Sequence, residues 1–228
     1  MVAKEYYIAD RHPTCWNFRM ASSRIIASWL PPVEPDSMFC EVGAGKSIVA
    51  ELFSKRALPL NRLSITDQSA HMLEYSREFE AQGASLRVAD ADKLPLDDAT
   101  VSCIISSLGD PYNCRAFWVE ASRVLRPAGI AIFTVPSYEW ARHFRGPEAA
   151  PGFHEAEFEL IDGRRVSLPS FIYSAAEQTA LISGQGLKVL TSRDITIGDL
   201  EGEKLSPKLA PDRGPGGPVV TGYLIQKS

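Results

Sequence analysis

The stretch that most constrains this chain is residues 38–53, MFCEVGAGKSIVAELF. A short apolar run of Met38, Phe39, Cys40 and Val42 leads into Gly43-Ala44-Gly45-Lys46-Ser47, and Ile48, Val49, Leu52 and Phe53 then recur at helical spacing. The pattern reads as strand, tight glycine turn and helix. Glycine permits positive φ and the close approach of a ligand, while the N–H groups and positive end of the following helix face whatever sits at the turn. It is a nucleotide-binding turn.

Three kinds of turn share this outline. A phosphate-binding P-loop needs a glycine five residues before Gly45-Lys46-Ser47, and that position holds Cys40, inside the strand. A dinucleotide fingerprint needs a third glycine at the position of Ile48. The third is the S-adenosylmethionine (SAM) turn, an acidic residue before G-x-G, which Glu41-Val42-Gly43-Ala44-Gly45 resembles. On the turn alone all three remain open.

The rest of the chain supplies the context. Trp16, Met20, Ile25, Ile26 and Trp29 give residues 14–30 a helical period, ended by Pro31, Pro32 and Pro35. Residues 62–66 form a second strand ending at Asp67, which lies 22 residues after Gly45, and Ser69 opens a helix over 69–82 with Gly83 as its stop. Strands follow at 86–89, 101–106 and 130–135, with a helix over 116–125 between the last two. Strands separated by helices imply right-handed crossovers and a parallel sheet, whose ligands bind at the carboxyl ends of the strands. Glu41, Asp67, Asp90 and Ser106 all fall at such ends. Asp67 could accept bonds from both hydroxyls of a ribose, or serve only as a turn residue.

Further on, Asp162-Gly163 between residues 157–160 and 165–168 signals a hairpin, and Ser174 with Glu177 forms a capping box opening a helix to 183. Residues 187–197 read as a sixth strand, 198–217 as a Pro- and Gly-rich loop, and 219–226 as the last strand. The expected organisation is one α/β domain over 1–228: an amino-terminal helical cover (1–35), a binding core (36–136), a lid insertion (137–173) and the remainder of the sheet (174–228).

Net charge of −4 disfavours broad binding to a phosphate backbone, so nucleic acid is not the expected partner. The four cysteines contain no CxxC pair and the four histidines no metal-ligand spacing, so no metal is expected. Residues 1–12 lack an apolar core of signal-peptide length and no long apolar run follows, which predicts a cytoplasmic protein without membrane attachment. A homodimer is compatible with the chain.

Taken together, Glu41-Val-Gly-Ala-Gly, Asp67, the segment Asp90-Ala91-Asp92-Lys93-Leu94-Pro95-Leu96 and Arg126-Pro-Ala-Gly129 resemble the class I SAM-dependent methyltransferases of the small-molecule type, over residues 36–136. Ala128 replaces a usual glycine, and Ser47 stands where many members have a third one. The resemblance implies a doubly wound, mostly parallel seven-stranded sheet with an antiparallel last strand and helices on both faces. It also implies that SAM is the cofactor. Gly43 and Gly45 would pass under its methionine part, with Glu41 as an acceptor near the amine, directly or through water, or as a cap on the N–H groups of the glycine loop. Asp67 would hold the ribose, Gln68 would flank the adenine, Asp90 and Ala91 would meet the adenine edge, and Ser106 would lie beside the sulfonium.

Methyl transfer from a sulfonium needs positioning of the acceptor and removal of one proton. The loop after the fourth strand, Leu108-Gly109-Asp110-Pro111-Tyr112-Asn113, supplies Asp110 and Tyr112, and the lid supplies His154, as candidate catalytic residues. Asp110-Pro111-Tyr112 partly resembles the Asp-Pro-Pro-Tyr element of amino-methyltransferases acting on bases, with one proline absent. The expected function is methyl transfer to O or N of a small, ring-containing metabolite. The alternatives are a nucleic-acid or protein methyltransferase, a non-catalytic partner subunit of the same fold, and an NAD-dependent oxidoreductase.

Overall fold

The computed structural model describes residues 7–144, 155–209 and 216–228. Helix α1 (Pro13–Trp29) starts on a proline, whose fixed φ suits a first turn. There follow β1 (Phe39–Val42), α2 (Ile48–Lys55), β2 (Leu63–Asp67), the short helices α3 (Ala70–Leu73) and α4 (Arg77–Glu80), and β3 (Ser85–Val88). Next come β4 (Val101–Ser106), α5 (Arg115–Val124), β5 (Leu125–Pro136), α6 (Tyr138–Phe144), the hairpin strands β6 (Glu155–Glu159) and β7 (Arg165–Pro169), α7 (Ala175–Ser183), β8 (Leu187–Thr196) and β9 (Pro218–Lys227).

Seven strands form one sheet in the order β3-β2-β1-β4-β5-β9-β8. The pairs among β1 to β5 are parallel and β9 runs antiparallel to both neighbours, as the resemblance implied. The chain departs from β1 toward β2 on one side and returns to β4 on the other. The carboxyl ends of β1 and β4 therefore frame a topological switch point, the ordinary ligand crevice of such sheets.

Period-2 alternation divides the sheet residues between two cores. Phe39, Ile65, Ile105 and Ile132 pack with Val49 and Phe53 of α2, whereas Cys40, Ile104, Ala131 and Phe133 pack with Phe117 and Trp118 of α5. A third cluster joins Phe18, Ala21 and Ile25 of α1 to Ile195, Leu200, Leu209 and Val220. Gly222 on β9 makes room for α1, because a Cβ there would come within 2.6 Å of Ile25.

Three expectations need correction. The helix over 69–82 is broken by a 3-10 turn at Glu74–Ser76, where Ser76 turns inward to bond the glycine turn. The 198–217 loop is no open tether in its first part: Leu200, Ser206 and Leu209 are buried beneath α1, and Asn17 both donates to Lys204 O and accepts from Ser206 N. The fifth strand begins at Leu125, five residues early, so Arg126-Pro-Ala-Gly129 lies within it.

Ala128 there has φ of 57°, the left-handed region where glycine is at home. Ala128→Gly should relieve this strain, less the extra entropy of a glycine in the unfolded chain, for a gain of up to about 1 kcal/mol. A melting temperature raised by about 2–4 °C is expected in thermal denaturation; an unchanged or lower value would count against strain at this position.

Candidate active site

Gly43 and Gly45 both adopt positive φ, 63° and 49°, and carry the chain from β1 into α2. What surrounds the turn decides which ligand it suits. Ala44 N donates to Thr66 O at 2.9 Å, Gly45 N to Asp67 Oδ2 at 3.0 Å and Lys46 N to the Tyr7 hydroxyl at 2.7 Å. Ser47 N donates to Ser76 Oγ, and Ser76 Oγ donates to Gly45 O. At the helix start, Ile48 N and Val49 N donate to the Glu41 carboxyl, Ala50 N donates to Ser47 Oγ, and the Ser47 hydroxyl bonds Glu41.

The amides of Ala44 to Ala50 thus have protein partners, that of Lys46 through the Tyr7 hydroxyl, and they do not converge on a phosphate-sized cradle. Lys46 Nζ lies 3.5 Å from Glu51 Oε1, away from any cradle, and the third glycine of a dinucleotide turn is replaced by the buried side chain of Ile48. The Gly-Lys-Ser ending is a helix cap.

The same bonds correct the role expected for Glu41. Its side chain is fully enclosed and caps α2, so it shapes the turn and does not face a ligand's amine. Burial raises its pKa to about 7, against the opposing pull of Ser47, Arg19 and the helix amides.

Asp67, at the end of β2, is mostly buried, and burial raises its pKa. Its Oδ1 accepts from Ser69 N at 2.8 Å and its Oδ2 from Gly45 N at 3.0 Å. Each oxygen retains a lone pair, so the carboxylate can also accept from two vicinal hydroxyls. Around it, Gln68 and Asp90 are exposed and Ala91 is half-buried against the core that holds Leu94. The 90–96 loop is tied down by Leu94 N donating to Glu120 Oε1 at 2.6 Å and by Arg123, which bonds Glu120, Asp98 and Leu94 O.

At the end of β4, Ser106 is buried and its Oγ lies 2.9 Å from the Tyr112 hydroxyl, which donates to Val42 O at 2.7 Å. Tyr112, named as a candidate catalytic residue, thus faces the glycine turn with its hydroxyl engaged there. Asp110 Oδ2 accepts from Ser170 Oγ at 2.5 Å and Asp110 O from Phe171 N at 2.7 Å. Asn113 is fully buried: it exchanges two amide bonds with Gln178 and accepts from Trp118 Nε1. Hence the 110–113 loop is stitched to the exit of the hairpin.

These contacts gather α1, the post-β4 loop and residues 170–171 around one region beyond the glycine turn. Ser22 of α1 bonds both Ser107 and Thr134, and His12 meets Phe158 of the hairpin at 6.0 Å between ring centroids. Burial and the Asp110 charge push the Cys15 thiol up to about 12, which keeps it protonated. Of the lid residues, Trp140 packs on Phe18, Arg142 and His143 are exposed, and His154 and Arg145 lie outside the described residues. Among the described residues no cluster suits a metal ion, and no helix is long and apolar enough to cross a membrane.

Residues 40–133 match a known family, described as a methyltransferase domain. Over these residues the chain is similar to a methyltransferase domain, and its fold is that of SAM-dependent methyltransferases. The chain is 30% identical over 123 residues to a ubiquinone/menaquinone biosynthesis C-methyltransferase from Bordetella avium, covering 47% of this chain and 48% of that protein. It is 36% identical over 92 residues to a malonyl-[acyl-carrier protein] O-methyltransferase from Hahella chejuensis, covering 39% and 33%. The chain thus spans half or less of the length of these relatives. Its fold is shared with geranyl diphosphate C-methyltransferase from Streptomyces coelicolor, solved with S-adenosyl-L-homocysteine, at a TM-score of 0.65 and 14% identity over 92% of this chain and 78% of that one.

The chain's own donor set fits SAM: a glycine surface without Cβ atoms, acceptors at Val42 O and Ser106, and the paired oxygens of Asp67. Sequence reasoning named Asp67 and Ser106, which lie beside the glycine turn, but did not name Ser76, Tyr7 and Arg19, which bond it. Arg19 donates to Lys46 O at 2.8 Å and lies 5.3 Å from the Tyr7 ring centroid. Ser76 sits mid-helix in the sequence pattern and Tyr7 lies 36 residues before Gly43, so no local spacing pointed to either.

Proposed function

We propose that this chain is a cytoplasmic enzyme that transfers a methyl group from SAM to O or N of a small, ring-bearing acceptor. The observation that carries the reading is Asp67, bonded to the glycine turn at Gly45 while keeping acceptor capacity on both oxygens. SAM supplies the electrophilic methyl and its own leaving group. Asp67 accepts from the ribose hydroxyls, Gln68, Asp90 and Ala91 border the adenine, and Ser106 borders the methionine end. Asp110, held by Ser170 and oriented through the Phe171 amide, takes the proton from the acceptor's O–H or N–H; His154 is the second candidate base. Of the named relatives, one is a C-methyltransferase of ubiquinone/menaquinone biosynthesis, which supports a ring-bearing acceptor, and another is an O-methyltransferase, so they do not choose the atom.

Radiolabelled SAM with a panel of hydroxy- and amino-substituted rings tests this. Label should appear in a small product, and Asp110→Asn should slow transfer about 100-fold while leaving S-adenosylhomocysteine affinity unchanged. Label confined to RNA or protein, or full activity in Asp110→Asn, would refute the assignment.

A further inference from the structure

The polar groups around the two glycines have ligands within the chain itself. The Tyr112 hydroxyl donates to Val42 O at 2.7 Å and accepts from the Ser106 hydroxyl at 2.9 Å, so groups from the ends of β1 and β4 converge on it. The Tyr7 hydroxyl accepts from Lys46 N at 2.7 Å. The rings also cover the glycine surface: a Cβ on Gly43 would fall 2.4 Å from the Tyr112 oxygen, and one on Gly45 would fall 2.2 Å from the Tyr7 oxygen.

The amino-acid end of SAM carries an ammonium, which needs acceptors, and a carboxylate, which needs donors. Tyr112 donates to Val42 O as an ammonium would, beside a Ser106 hydroxyl that can turn to accept, and Tyr7 meets the Lys46 amide as a carboxylate oxygen would. We propose that Tyr7 and Tyr112 stand in for the charged groups of the cofactor's amino-acid end, so that cofactor binding and displacement of these hydroxyls are one equilibrium. This rests on the SAM assignment above and adds a control on the same site.

Both hydroxyls are built to remain neutral. Burial pushes Tyr7 up to about 12 and Tyr112 higher still. Their anchors differ. Tyr112 belongs to the 3-10 turn Asp110–Tyr112 and packs on Phe117 at 5.2 Å between centroids. Tyr7 comes from the amino-terminal segment and is held by the Tyr75 ring at 4.9 Å and by Arg19 above it. Displacing Tyr7 therefore moves part of the amino-terminal segment, whereas displacing Tyr112 needs only a turn of its side chain while Ser170 and the Phe171 amide hold Asp110 in place.

The test compares two ligands by calorimetry: S-adenosylhomocysteine, which has the amino-acid end, and methylthioadenosine, which lacks it. Tyr7→Phe and Tyr112→Phe should each tighten S-adenosylhomocysteine about fivefold, the value of one removed competing hydrogen bond, with methylthioadenosine affinity unchanged. Looser or unchanged S-adenosylhomocysteine binding overturns the proposal, as does an equal gain for both ligands. Tyr7 lies outside both sheet cores, so Tyr7→Phe decides the matter even if Tyr112→Phe folds poorly. Failure of the wild-type chain to bind either ligand would instead overturn the SAM assignment, and the inference with it.

Discussion

Asp67→Ala is expected to weaken S-adenosylhomocysteine binding by about 10- to 100-fold, a larger effect on affinity than either tyrosine substitution should have. Two losses add. The ribose hydroxyls lose their acceptor, and the amides of Gly45 and Ser69 lose theirs, so the glycine turn is no longer tied to the end of β2. Desolvated donors without partners cost about 1–3 kcal/mol each, more than a hydrogen bond contributes when made. Asp67→Asn separates the losses, since its one carbonyl oxygen can keep Gly45 N while its amide cannot accept from ribose. Calorimetry should therefore rank wild type above Asp67→Asn above Asp67→Ala. Equal affinities in all three would show that the carboxylate does not touch the ligand.

Glu41 governs the largest expected effect on stability. Its carboxyl has a reference pKa of 4.5 and a folded value of about 7. Between those values the folded protein holds a proton that the unfolded chain has released. The group's stabilisation is then fully present below pH 4.5 and lost as pH rises through about 7, a change of about 3 kcal/mol. Asp67, also raised by burial, acts in the same direction. Denaturant unfolding at pH 5 and pH 8 should show wild type less stable at the higher pH, and Glu41→Gln, which keeps the shape without the charge, should remove most of the difference. A wild-type chain as stable at pH 8 as at pH 5 would mean that the helix amides and Ser47 outweigh burial.

Much of the binding core was legible because its signals are local and periodic. The apolar run before Gly43, the alternation of strands with helices and the capping box at Ser174 each act within a few residues, and each appears where expected. Asp67 was legible by its interval from the glycine turn. What escaped depends on contacts between distant segments. Glu41 reads as a ligand residue from its position before the glycines, but Ser47 and the α2 amides bond it six to eight residues on. Tyr112 reads as a candidate catalytic residue from its loop, but Val42 O lies 70 residues away in sequence. Asn113 looks like a helix cap and instead pairs with Gln178, 65 residues on. Such pairings follow from how the sheet brings strand ends together, and no short spacing encodes them.

The central claim is that the turn at Gly43 to Gly45, with Asp67, binds the methyl donor. Side-by-side calorimetric titration of the wild-type chain with S-adenosylhomocysteine, NAD and ATP tests it most directly. The account predicts saturable binding of S-adenosylhomocysteine at one site per chain and no heat from the other two. Tight binding of NAD or ATP with no response to S-adenosylhomocysteine would contradict it.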